Sequence, residues 1–165
     1  MSMSMEPVLD WAADQLGVGA RVVAVETLRG VRGPWRLRID HDGTALEAVL
    51  RVGDPDPASR ELLVTEAAAL AFAEDHELAA PRLLATDLDL DGAAGRPVLL
   101  RTVLAGSSRI PAVASPERLR ALSAAAARLH TVATTPRPGL PLRMRPLADM
   151  DFAAARRAWA TRAWI

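Results

Sequence analysis

The sequence predicts an α+β fold: a five-stranded antiparallel sheet with one packed helix, followed by helices of a second, incomplete lobe. Three observations predict it. Strand-like runs at 21–28, 35–40 and 45–52 follow one another closely, and "HDGT" between the last two carries the Asp-Gly signal of a tight hairpin. One long run of strong helix formers then precedes two more strand-like runs. Beyond residue 106 only helical periodicity and a proline-rich stretch remain.

In chain order, Val8, Leu9, Ala12, Ala13 and Leu16 recur at helical spacing from Glu6, and Gly17 to Gly19 end that opening helix. "RVVAVETL", "WRLRID" and "ALEAVLRV" are the first three strands. After the "GDPDP" break, a helix is expected from about Ser59 to Glu74, with Leu62, Leu63, Ala67 and Leu70 as its apolar stripe. "PRLLATDL" and "RPVLLRTVL", joined by the turn-forming "DLDGAAG", supply strands four and five. Ser115 followed by Pro116 starts another helix that runs to about His130, with Leu119, Leu122, Ala126 and Leu129 as one buried stripe. "TTPRPGLPLRMRP" holds four prolines and reads as a linker, and a short helix begins at about Asp151. The expected division is a first domain at 1–106 and a second segment at 107–165.

Composition narrows the functional classes. Lys plus Arg and Asp plus Glu balance at 20 each, which removes the positive field of a nucleic-acid binder and the basic face of a membrane-surface protein. All the basic residues are arginine, which is more simply read as coding bias than as mechanism. Cysteine is absent, excluding disulfides, thiolate catalysis and cysteine-ligated zinc. The N-terminal segment is acidic and broken by charges, unlike a signal peptide, and no apolar run approaches membrane-spanning length. A soluble, cytoplasmic protein is expected.

The sharpest local feature is Arg51, a permanent charge inside the apolar run "EAVLRVGD". It shares a strand face with Val49, while Ala48, Leu50 and Val52 share the other. Buried unpaired it would be costly, so it faces water or has a partner. Glu66 is the candidate, lying within the apolar stripe of the following helix, four residues from both Leu62 and Leu70. The alternative is that Glu47, Val49 and Arg51 form a solvated sheet face. Upstream, Gly30 and Gly33 in "LRGVRGPW" lie between the first two strands, where a glycine turn lets backbone N–H groups approach an anion.

A glycine turn, a basic residue on the third strand, a glutamate on the next helix and two further strands, in that order, resemble the N-terminal lobe of the protein-kinase-like fold. The closer resemblance is to the aminoglycoside phosphotransferase family. "AVLR" at 48–51, "TEAAAL" at 65–70, "APRLLATD" at 80–87, "RPVLLRTVLAG" at 96–106 and "LSAAAARLHTV" at 122–132 are similar to its successive motifs. The resemblance implies a nucleotide cofactor, ATP or GTP. Arg51 would hold the phosphates, Glu66 would orient Arg51, and Gly30 and Gly33 would lie in the loop over the phosphates. Val49 would cap the adenine, and the backbone of Arg101, Thr102 and Val103 would bond its edge. Many members of the wider fold have lysine at the Arg51 position, but arginine's planar fork suits phosphate and carboxylate alike.

The same resemblance implies a partner lobe carrying an "HGD" loop, a downstream asparagine and a metal-binding aspartate, none of which occurs here. "HDG" at 41–43 has the wrong order and sits in a hairpin turn. "DLDLDG" at 87–92 opens like a calcium loop, but its twelfth position is Val98. His41, His76 and His130 show no metal-ligand spacing. No catalytic or metal-binding residue is therefore assigned. Mg2+ is expected only with the missing lobe. The expectation is the nucleotide-binding lobe of a kinase of small hydroxyl substrates, a fragment inactive by itself. The alternative is a non-catalytic nucleotide- or partner-binding module. Apolar residues beyond 115, including Trp159 and Trp164, open a route to self-association.

Overall fold

A computed structural model of the chain describes residues 5–30, 33–92, 94–106, 112–132, 135 and 137–140. The elements run α1 (Glu6–Asp14), β1 (Ala20–Thr27), β2 (Trp35–His41), β3 (Thr44–Val52), α2 (Pro57–Asp75), β4 (Leu83–Asp87), β5 (Val98–Thr102) and α3 (Pro116–Thr131). The expected helix from Asp151, with Trp159 and Trp164, lies outside the described residues.

The strands form one antiparallel sheet in the order β1-β2-β3-β5-β4. β5, the last strand in sequence, therefore lies inside the sheet between β3 and the edge strand β4. The alternation of each strand divides the sheet into two unlike faces. Leu37, Ile39, Ala48, Leu50, Val98 and Leu100 pack with Val8, Trp11 and Ala12 of α1, forming the main core. On the other face, Leu99 packs with Leu63 and Leu70 of α2, joined by Ala67, Leu83 and Leu88. α2 covers only the β4–β5 side, and the rest of that face carries charged residues.

α2 begins at Pro57, two residues earlier than expected. The Asp56 carboxylate accepts hydrogen bonds from the N–H groups of Ala58 and Ser59, and Pro57 occupies the first turn, where its missing N–H costs nothing. The "DP" taken for a break is the helix cap. At the strand end, Gly53 N–H donates to the Pro97 carbonyl at 2.8 Å, and a Cβ there would come within 2.9 Å of the Pro97 ring. This close approach keeps the end of β3 against the start of β5 as the chain turns into α2.

Two expected apolar stripes are corrected. Leu62 is 68% exposed, and α2 instead buries Leu63, Leu70 and Ala73, a set rotated around the helix from the expected one. α3 buries none of its residues, and Leu119, Leu122 and Leu129 are exposed. Among the described residues, Arg128 Nη2 donates to the Glu77 carbonyl at 2.7 Å, tying α3 to the turn after α2. Within the proline-rich stretch, Arg137 sits 4.6 Å over the Phe72 ring and 3.4 Å from the Asp75 carboxylate of α2.

Candidate functional site

The site is built where the β3–β5 ladder meets α2. Val49 pairs with Arg101 and Arg51 with Leu99, so these four side chains share the α2 face and Arg51 and Arg101 are diagonal neighbours. Two guanidiniums on one diagonal repel. Glu66 of α2 stands between them: its Oε2 is 3.5 Å from Arg51 Nη1 and its Oε1 is 3.7 Å from Arg101 Nε.

Those distances lie beyond hydrogen-bond range, so the carboxylate is held by charge and not locked by donors. Arg101 Nε is buried and has no hydrogen-bond partner. The Arg51 and Arg101 side chains remain 38% and 23% exposed, enough for both to be reached from solvent. Two arginines against one glutamate leave the cluster one surplus positive charge.

Two neighbouring pairs of charges on this face cancel. Arg36 Nη2 lies 2.6 Å from Glu47 Oε2, and Arg21 Nη2 lies 2.7 Å from Asp40 Oδ2. The hydrogen bond and charge of Glu47 raise the Arg36 pKa, and the hydrogen bond from Arg21 holds Asp40 below the usual carboxylate value. Arg38 stands exposed on the same strand face as Arg36. The reading of Glu47 as part of a solvated face therefore holds for the β2 side, while Arg51 has its partner on α2.

Val49 is only 6% exposed, lying in register between Arg36 of β2 and Arg101 of β5. Thr102 N–H donates to the Arg82 carbonyl at 2.9 Å, and its hydroxyl accepts the Arg82 N–H at 2.9 Å, so that end of β5 is engaged with the β4 entry. Val103 is the first residue past the ladder.

Gly30 and Gly33 both have positive φ, 58° and 82°. Their loop is closed by Leu28 N–H donating to the Pro34 carbonyl at 2.8 Å. A Cβ on Gly33 would fall 2.4 Å from the Trp35 ring, so this glycine is required by the buried indole, whereas a Cβ on Gly30 meets nothing within 4 Å. Because Trp35 pairs with Leu50, the loop joins β2 one register step from Arg51. Val31 and Arg32 lie outside the described residues.

The structure thus brings Arg51, Glu66 and Arg101 together, sets Val49 beside them, and places Val103 and the glycine loop at the ends of adjoining strands. The side chain of Arg101 is the feature the sequence reading missed, since only its backbone was assigned. The signal is the one that singled out Arg51: an arginine inside an apolar strand run. In the calcium-like stretch, the Asp87 carboxylate accepts the Ala94 N–H at 3.1 Å and organises the β4–β5 turn.

A five-stranded antiparallel sheet with a glycine loop, an arginine on β3 and a glutamate on the following helix defines a kinase-like N-terminal lobe. The model of the phosphotransferase enzyme family matches residues 10–164, and the chain belongs to that family. No curated protein and no solved structure shows significant similarity to it. Among the described residues, no helix is long and apolar enough to cross a membrane.

Proposed function

We propose that this chain is the nucleotide-binding lobe of an ATP- or GTP-dependent kinase acting on a hydroxyl group of a small molecule. The observation that carries the reading is the Arg51–Glu66 pair joining β3 to α2. A phosphate oxygen needs a cation that is held in place yet has donors to spare. Arg51 meets both needs, because Glu66 faces it at 3.5 Å without a hydrogen bond and its side chain is partly exposed.

In this reading Arg51 holds the phosphates, Glu66 orients it, and the loop containing Gly30 and Gly33 lies over them. Val49 borders the base. Of the backbone stretch from Arg101 to Val103, Val103 is best placed to bond the base edge, since the Thr102 N–H is already engaged. Phosphoryl transfer further requires an acid to take the hydroxyl proton and acids to hold Mg2+. With no "HGD" among the 165 residues, those groups belong to a second lobe, and the chain alone is inactive. The reaction class fits a cytoplasmic enzyme.

Titration of the pure chain with a fluorescent ATP analogue tests the reading. Saturable binding, displaced by unlabelled ATP or GTP and weakened in Arg51→Met, is the expected result. Absence of saturable binding by the folded wild-type chain overturns it.

A further inference from the structure

The geometry points to Arg101 as a second anion-binding cation: it shares Glu66 with Arg51, so that the site keeps one positive charge for a polyphosphate. This rests on the nucleotide-binding reading and extends it, because that reading uses only the Arg101 backbone.

A guanidinium and a carboxylate left alone prefer two parallel hydrogen bonds, which consume both carboxylate oxygens and two of the arginine's donors. Such a pair is neutral and has less to offer a phosphate. Here the carboxylate is divided, with Oε2 toward Arg51 and Oε1 toward Arg101, and neither contact closes to hydrogen-bond length. Arg101 therefore prevents Glu66 from neutralising Arg51.

Arg101 also carries an unmet demand of its own. Its Nε is buried without a hydrogen-bond partner, and a buried donor left unpaired is destabilising. Glu66 Oε1 lies 3.7 Å from it, beyond hydrogen-bond range. A polyphosphate oxygen drawn to the cluster meets this demand by taking Arg51 and releasing Glu66 to close on Arg101, whose partly exposed side chain adds its charge to the site. Arg36 Nε is likewise buried without a partner, but the flanking pairs Arg36–Glu47 and Arg21–Asp40 are closed at 2.6 and 2.7 Å, so each of those cations already has a carboxylate to itself.

The test is calorimetric titration of the full chain with inorganic tripolyphosphate and, separately, with ATP, at low and high salt. Wild type is compared with Arg51→Met, Arg101→Met, Arg101→Gln and Arg101→Lys, each checked for an intact thermal transition. Loss of the Arg101 charge should weaken both ligands by about tenfold or more. It should also flatten the salt dependence, and Arg101→Lys should recover much of the affinity by restoring the charge. The glutamine variant keeps a polar side chain and decides the matter if the methionine variant does not fold. If the folded Arg101→Gln or Arg101→Met chain binds both ligands as wild type does while Arg51→Met does not, the inference falls and the nucleotide reading stands. If wild type binds neither ligand, both fall.

Discussion

Arg51 of β3 and Glu66 of α2 approach to 3.5 Å, linking a strand and the helix that follows it through the one face of the sheet that α2 leaves partly open. Both side chains are partly exposed, so the pair contributes at most about 1 kcal/mol to stability. Arg51→Met should therefore unfold within a few degrees of wild type, while binding ATP about tenfold or more weakly. A large fall in thermal midpoint would instead make Arg51 a structural residue.

The two loop glycines should separate on substitution. Gly30→Ala meets only the left-handed backbone strain, about 1–2 kcal/mol. Gly33→Ala adds an overlap with the Trp35 ring at 2.4 Å and should be clearly the more destabilising, with a shift in tryptophan fluorescence. Equal losses from the two, in parallel urea unfolding, would show that the indole does not lie over Gly33.

Acid should act through Asp56. The N–H and hydroxyl of Ser59, with the Ala58 N–H, lower its pKa below 3.8. A depressed folded pKa means the contribution is complete above the unfolded value and is lost as pH falls through the folded one. Asp56→Ala should thus be less stable than wild type above pH 3.8, with the gap closing below it. Asp40, lowered by Arg21, contributes in the same direction and remains in both proteins. Urea midpoints measured above, near and below that pH check the convergence; a constant gap would contradict it.

Much of the fold is legible because each strand carries its own alternation and the Asp-Gly hairpin fixes the β2–β3 register. Val49 and Arg51 share a face in the structure as the period of two requires. The order β3-β5-β4 is not legible, since a chain of separate strands does not state which neighbour each will choose. Glu66 is legible through a stripe containing Leu62, which proves exposed. The carboxylate nevertheless lies between Leu63 and Leu70 on the buried arc, three and four residues away, so the conclusion survived a rotated helix. Arg101 was missed because its role depends on pairing with Val49, a long-range register that local pattern does not carry. The α3 leucines show the reverse limit: periodicity announces an apolar face without saying what covers it.

That face yields a further prediction. Leu119, Leu122 and Leu129 are 53%, 59% and 53% exposed, and changing all three to Gln should reduce any self-association of the chain without lowering its thermal midpoint. Sedimentation of the two proteins across a concentration series reads this directly. A pronounced loss of stability would mean that these leucines are buried in solution.

The most direct test of the account follows the arginine Nε–H and backbone amide resonances of the labelled chain while ATP is added. Saturable shifts are expected at Arg51, Arg101 and Val103 with a common affinity, while Arg21, paired with Asp40 on the edge strand β1, stays still. Shifts confined to α1 and β1, or none at Arg51 at saturating ATP, would contradict it.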